Sequence, residues 1–446
     1  MTKSITIGVL SPVTGGLYYG EIVAGIAREV AAVGGRVVLM QTLDAGLSSD
    51  EVPAAPDFTT PIAWDHLDGV VSIATATQRP FLDRLRAAGK PIAMASGEPD
   101  VFDAPTVMPD NVSGVTETVA HLIAHGHTRI GYAANLVQAD MRSRHDAYRA
   151  ALVAHAIEPD PKWFFSACDN GEIGGRDVAR QLVGAGLPIT ALILATDRNA
   201  IGCMAQLAEL GVGVPSDLAV VGFDGVEAGE YSEPTLSTVA QPFDEIGAAA
   251  ARLVLAQLRG EIVEVSGYPC AGRFVRRGSC GCPDDSAPSS GADGDYWRAE
   301  VKQRFARSVL RERAMREQYD IGMQLLDHAR DPRRLAWLAT LGVRGACLGL
   351  WDGDRSAGRL RIVGVHDHDD ALADLLDTIC PLEQFPPVSL LEMAESQNNE
   401  VTIVVPLKAR GLDSGLLAVA GEVDVVSANG REAHNQWAAS LTSAIE

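Results

Sequence analysis

Short β-branched runs alternate with amphipathic stretches from the start of the chain to about position 282. The runs at 5–10, 36–41, 69–73, 91–95, 129–133, 191–195 and 218–223 read as strands. Between them, apolar positions recur at helical spacing over 19–33, 79–88, 114–125, 143–154, 173–184, 200–210 and 243–259. Strand–helix alternation of this kind implies parallel, doubly wound sheets. So many elements exceed one ordinary sheet, and two adjacent α/β lobes are expected. Gly211-Val-Gly-Val-Pro215 and Gly186-Leu-Pro188 are helix stops followed by turns.

The pattern breaks at 283–295, PDDSAPSSGADGD, a linker with no apolar periodicity. Over 296–330 one long helix is expected. Trp297, Val301, Phe305 and Val309 recur every fourth residue, and Leu310, Ala314, Ile321 and Leu325 extend the stripe. The interleaved arginines and glutamates suit a solvated face, and a dimeric coiled coil that carries a signal is the sharper reading. From 331 to 446 the expected order is a helix (333–341), strands (345–351 and 360–366) and a helix (371–379). Strands at 400–407 and 415–421 flank a turn at Gly411-Leu-Asp-Ser414, and a helix (430–445) closes the chain. This is an α+β pattern of sensor type.

Composition narrows the function. Hydrophobic residues make up 47% of the chain and the mean hydropathy is +0.07, values of a globular protein. The net charge of -21 repels nucleic-acid phosphates, so no direct nucleic-acid binding is expected. Without an apolar run long enough to cross a bilayer or a signal-peptide pattern, no membrane association is expected. Seven scattered cysteines fit reduced thiols, and the expected location is the cytoplasm.

Asp197, Asp224 and Gln241 each stand at the end of an apolar, strand-like run, where open α/β sheets bind small ligands. Asp197 also precedes a helical run, where aspartate serves as an N-cap. No P-loop, no G-x-S-x-G elbow and no nucleophile–base pair appears. An enzyme using the same strand-end carboxylates is the weaker reading, and no catalytic residue is assigned.

Ordered motifs carry a resemblance over about 5–278. Asp110-Asn-Val-Ser-Gly114, His121-Leu-Ile-Ala-His-Gly-His-Thr-Arg-Ile130, Arg142-Ser-Arg-His-Asp-Ala-Tyr148, Val214-Pro-Ser-Asp217, Gly222-Phe-Asp224 and Thr238-Val-Ala-Gln-Pro242 look like the ligand-binding core of the LacI/GalR regulators. The resemblance implies a two-lobed, periplasmic-binding-protein-like domain over 1–282, with crossovers near 108, 237 and 270 and a ligand in the cleft. It also implies that Tyr18, Tyr19, Arg142, Thr196, Asp197, Asp224 and Gln241 line that cleft. Carboxylates accepting hydroxyl donors, an arginine fork and aromatic rings suit a sugar, nucleoside or purine-like ligand. The family begins with a helix-turn-helix, whereas this sequence starts in the first strand of the core, so the usual DNA reader is expected to be missing.

Residues 331–446 resemble a GAF domain through Val401-Thr-Ile-Val-Val-Pro-Leu-Lys408, Gly411 and Gly415-Leu-Leu-Ala-Val-Ala-Gly421. The expected protein is a cytoplasmic small-molecule sensor. Lobe closure is relayed through the 296–330 helix to the GAF-like domain, which with that helix makes a homodimer. The expected output is signalling or transcriptional, through a partner or a following domain such as a diguanylate cyclase. The alternative is a LacI/GalR-type transcriptional regulator.

His121 and His125 stand one helical turn apart, a spacing that invites a metal reading. In the resembled family this stretch ends a helix and enters the next strand, and that structural role is preferred. Cys280-Gly-Cys282, with Cys270 upstream, has no second cysteine or histidine pair at zinc-site spacing nearby and reads as a strand end under the linker. His366-Asp-His368 with Asp369 and Asp370 reads as a solvated turn. No metal site and no cofactor are expected.

Overall fold

The computed structural model describes residues 4–47, 55–97, 102–283, 316, 318–325, 331–339, 341–394, 400–409, 412–425 and 433–445. The linker after Pro283, most of the 296–330 helix and Gly411 lie outside the described residues. So does the start of the final helix. The chain divides into two compact units. Unit 1 comprises 1–108, 243–268 and 304–446, and unit 2 comprises 109–242 and 269–303. The chain passes from unit 1 to unit 2 after Met108, back after Pro242 and again to unit 2 after Tyr268, and the strand Ser237–Ala240 pairs within unit 2.

Unit 1 opens with β1 (Thr6–Ser11), α1 (Gly16–Ala32), β2 (Arg36–Gln41), β3 (Gly69–Ile73), α2 (Arg79–Ala87), β4 (Ile92–Ala95) and β5 (Thr106–Pro109). β1 pairs in parallel with both β2 and β3, and the parallel ladder continues through β4 to β5. Every residue of β1 and β3 is buried, as expected for strands with both faces covered. In α1, Gly25 lets the backbone of a later helix of this unit, Phe243–Leu258, approach closely. A Cβ at Gly25 would lie 1.8 Å from the Asp244 carbonyl oxygen.

Unit 2 runs through α3 (Ser113–Ala124), β6 (Ile130–Ala134), α4 (Ala139–Ala154), β7 (Phe164–Ser166), α5 (Glu172–Gly184) and β8 (Ala191–Leu194). It continues with α6 (Asp197–Glu209), β9 (Ala219–Asp224) and β10 (Ser237–Ala240). The chain then passes into unit 1 for α7 (Phe243–Leu258) and on through β11 (Gly267–Cys270), returning for β12 (Arg273–Val275). The sheet order of unit 2 is β12-β10-β9-β8-β6-β7, parallel except for β12. From β6 the chain moves outward to β7 and then returns to β8 on the other side. The topological switch point, where such sheets bind ligands, therefore lies between β6 and β8.

The C-terminal region differs most from expectation. Its strands are β13 (Gly345–Trp351), β14 (Arg359–Asp367), β15 (Ile379–Pro381), β16 (Glu400–Ala409) and β17 (Leu412–Glu422). They form antiparallel pairs among themselves, and β16 also pairs in parallel with β2, placing Thr402 opposite Val38 and Val404 opposite Met40. The result is one sheet in the order β11-β5-β4-β3-β1-β2-β16-β17-β13-β14-β15, not a separate C-terminal core. A single buried cluster runs from Leu10 and Met40 to Cys347, Ile362 and Phe385. The closing helix α8 (Ala433–Ile445) is tied down by Asn435, whose Oδ1 accepts from Gln41 Nε2 and the Gly46 backbone N–H, each at 2.8 Å.

The helix expected at 333–341 is two 3-10 turns, Pro332–Arg334 and Ala336–Leu338, with Leu335 at φ +55° between them. Only a 3-10 turn, Ala373–Leu375, occupies the helix expected at 371–379. Among the described residues, no helix is long and apolar enough to cross a membrane.

Candidate functional site

The ends of β8, β9 and β10 in unit 2 converge on one polar cluster. At its centre is Arg144, 2% exposed, on the inner face of α4. Met141, Arg144, Ala147, Tyr148 and Ala151 recur at the spacing of one helical face, so Arg144 is carried inward with the apolar residues. Its Nε donates to Asn111 Oδ1 at 2.8 Å and its Nη1 to the Ala195 carbonyl at 2.6 Å. Its guanidinium carbon lies 3.8 Å from the Phe223 ring centroid, a cation–π contact. Asp224 and Asp140 lie at ion-pair distances of 3.5 and 3.7 Å.

Asp224 ends β9 at φ +120°, a region that side-chain-bearing residues avoid. Such strain persists only where the surroundings hold it, and it concentrates at ligand-binding positions. Here the restraint comes from Gln241, just past β10, whose Nε2 donates to Asp224 Oδ1 at 2.7 Å. Burial pushes the Asp224 carboxyl up to about 6 against the pull of Arg144. Gln241 Oε1 and Asn170 Oδ1 are buried acceptors without a hydrogen-bond partner among the described residues. Unspent buried acceptors are costly unless something donates to them.

Asp197 has a different role from that of a free cleft carboxylate. It is fully buried, and its oxygens accept from Thr238 Oγ1 at 2.6 Å and from the Gly225 and Val226 backbone N–H groups at 2.8 Å. Burial, then the neighbouring Asp224, push it up to about 7. Asp197 positions the β9–β10 turn that presents Asp224. Gly222 makes room for it, since a Cβ there would lie 2.1 Å from Asp197 Oδ1. Nor is Asp197 the N-cap of α6. Thr196 is, its Oγ1 accepting from the Asn199 N–H at 3.1 Å while donating to the Asn170 carbonyl.

The structure therefore gathers Thr196, Asp197, Asp224 and Gln241 in one cluster. Arg142 is not in it. Its guanidinium binds the Leu136 and Val137 carbonyls at the surface, and Arg144, two residues on, takes the buried position. Tyr18 and Tyr19 belong to unit 1. Tyr19 is 8% exposed, and Tyr18 donates to Ser96 Oγ at 2.6 Å and packs edge-on against Phe243.

In space, Cys280-Gly-Cys282 has a histidine pair beside it, His121 in α3 and His125 at its C-terminal cap. The Sγ of Cys282 lies 3.5 Å from His121 Nε2 and 3.4 Å from His125 Nε2. His127, in contrast, contacts Thr190 Oγ1 at 3.0 Å and stays structural.

A periplasmic binding protein-like domain matches residues 119–280. The chain is 30% identical over 264 residues to the HTH-type transcriptional repressor CytR of Escherichia coli K12, a match covering 58% of this chain and 75% of that one. It is 27% identical over 281 residues to the ribose operon repressor of the same organism, covering 63% and 83%. Among solved structures, the transcriptional regulator CelR in complex with cellobiose superposes with a TM-score of 0.51 at 25% identity, covering 62% of this chain and 86% of that one. Fold and sequence identity agree, and the chain belongs to the LacI family of regulators through its periplasmic-binding-protein-like ligand-binding core.

Proposed function

We propose that this protein is a LacI-type regulator whose small-molecule effector is a polyhydroxylated compound, a sugar or a nucleoside, read by Asp224, Gln241 and Arg144. The observation that carries this reading is Asp224, held at a strained φ by Gln241 with Arg144 beside it. A carboxylate and the unspent amide oxygens of Gln241 and Asn170 are acceptors suited to hydroxyl donors. The cluster itself contains carboxylates, a guanidinium and amides, a set made for recognition more than for turnover. Relatives titled as a ribose operon repressor and as a cellobiose complex support the sugar class.

The test is a thermal-shift screen of sugars and nucleosides. A ligand at about 100 times its Kd stabilises the protein by about 2.7 kcal/mol. Asp224→Ala is expected to lose about 1.5–3 kcal/mol of binding, roughly a 10- to 150-fold weaker Kd. An Asp224→Ala protein that binds the same ligand as tightly as the parent would sink the assignment.

The regulatory output is transcriptional in this reading, as it is for the relatives. With a net charge of -21, contact with DNA is assigned to a partner or an added segment, not to the described surface. The GAF-like reading of 331–446 is supported by the antiparallel order β15-β14-β13-β17-β16 and by the closing helix. Its continuity with β2 suggests a direct route by which the C-terminal strands sense the state of unit 1. Sequence-dependent, salt-sensitive DNA binding by the isolated chain would overturn the division of labour.

A further inference from the structure

His121, in the last turn of α3, and His125, the residue that caps its C-terminal end, stand one turn apart on the same side, and their rings lie 4.4 Å apart. Opposite them the chain leaves β12, makes the short 3-10 turn Gly278–Cys280 and reverses at Gly281, φ +86°. That reversal aims both sulfurs of Cys280-Gly-Cys282 at the histidines. Cys280 Sγ is 3.4 Å from His121 Nε2, and the donor atoms of His121, His125 and Cys282 all lie within 4.8 Å of one another.

We propose that His121, His125 and Cys282 bind one transition-metal ion of the zinc class, and that Cys280, beside His121, becomes the fourth ligand by turning from the Arg277 carbonyl. With zinc–sulfur bonds near 2.3 Å and zinc–nitrogen bonds near 2.0–2.1 Å, tetrahedral geometry separates sulfur from nitrogen by about 3.6 Å. Cys280 Sγ to His121 Nε2 at 3.4 Å, Cys282 Sγ to His125 Nε2 at 3.4 Å and Cys282 Sγ to His121 Nε2 at 3.5 Å are close to that spacing. Two imidazoles and two thiols select zinc or cobalt over magnesium or calcium, which require oxygen donors.

The scaffold is built before any ion arrives. Ser279, the middle residue of the 3-10 turn, donates through Oγ to the Val220 carbonyl at 2.6 Å, and its N–H donates to the Thr235 carbonyl at 2.9 Å. The turn is thus fixed to the β9–β10 side of the sheet, while the His121 ring packs 4.8 Å from Phe274. Cys280 is 2% exposed and His125 is exposed, so the site has a buried floor and an open side through which an ion can enter. An ion here would staple the last segment of the ligand-binding core to α3, immediately before the chain enters the 283–295 linker.

The test uses the full chain, free of any affinity tag and isolated anaerobically, stripped with chelator and titrated with cobalt and then zinc. One cobalt ion per chain is expected, with intense tetrahedral d–d absorption and a thiolate-to-cobalt charge-transfer band, both abolished by zinc. His125→Gln, at an exposed position, and Cys282→Ser are each expected to weaken zinc binding by more than about 100-fold, beyond the loss caused by outer-shell partners. Cys280→Ser is expected to keep the cobalt ion with a weaker charge-transfer band. No charge-transfer band, or wild-type zinc affinity in His125→Gln or Cys282→Ser, overturns the site. A Cys280–Cys282 disulfide in the anaerobic protein overturns it equally. An unchanged spectrum in Cys280→Ser overturns the fourth ligand.

Discussion

Replacing Asp197 by asparagine and by alanine separates the charge of this buried carboxyl from its hydrogen bonds. Its two oxygens take three donors, and burial raises its pKa to about 7. Below the unfolded value, near pH 4, both states are protonated and the stabilising contribution is complete. As pH rises toward 7 the unfolded chain gives up its proton before the folded one does, so stability falls. At 1.36 kcal/mol per pH unit, a span of about three units amounts to about 4 kcal/mol. Asparagine removes this titration. Its oxygen can still accept from Gly225 and Val226, and its NH2 can donate to Thr238. Alanine takes the acceptor from the Val226 N–H and the Thr238 hydroxyl and leaves the Gly225 N–H only its 3.3 Å contact with Thr238 Oγ1, at about 1–3 kcal/mol for each donor left unpaired.

Urea denaturation of the three proteins between about pH 4 and pH 8 reads the effect directly. The stability of the parent minus that of Asp197→Asn should decline with pH by up to about 4 kcal/mol, and at pH 7 alanine should be the more damaging replacement. Parallel pH curves for parent and asparagine variant would refute the raised pKa. An asparagine variant as unstable as the alanine variant at pH 7 would refute the hydrogen-bond argument.

Two further outcomes follow from the packing. Gly25→Ala drives a Cβ against the Asp244 carbonyl and should cost about 3 kcal/mol, the upper part of the overpacking range, whereas Gly184→Ala in α5 meets nothing within 4 Å and should gain about 0.5–1 kcal/mol. Thermal denaturation checks both, and a neutral Gly25→Ala would show that α1 and α7 can separate freely. Deleting residues 331–446 uncovers the β2 edge and the Val38–Met40 face of the shared core, so the shortened chain should self-associate in size-exclusion chromatography with light scattering. A monodisperse monomer would show that β16 contributes little to holding β2.

The two α/β lobes were legible because period-2 and period-3.6 patterns alternate cleanly over 1–282. β5 and β7 were not recognised as strands, since Thr106–Pro109 and Phe164–Ser166 are too short to show a period. The site was half legible. Position at strand ends marks Asp197, Asp224 and Gln241, whereas the family motif points to Arg142 and not to Arg144. Starting α4 at Ser143 instead of Ala139 hid the Met141–Arg144–Tyr148 face, and extending the helix one turn would have put Arg144 inside. The histidine–cysteine cluster was invisible for another reason. Its two halves are 155 or more residues apart in sequence, and only the antiparallel return of β12 beside β10 brings them together. The merging of C-terminal strands into the unit 1 sheet likewise rests on a pairing that no local pattern encodes.

That pairing has a consequence for synthesis. β2 emerges from the ribosome early, but β16 follows about 360 residues later, and at 5–20 residues per second the wait is roughly 20–70 s. Unit 2 is translated entirely within this interval and can fold in it. Unit 1 is completed only when the last strands arrive. A nascent chain of this protein therefore displays an open β2 edge for most of its synthesis, and only in the last part of that wait is unit 2 complete beside an unfinished unit 1. Its yield in a cell should depend on chaperone occupancy of that strand more than on the stability of the finished fold.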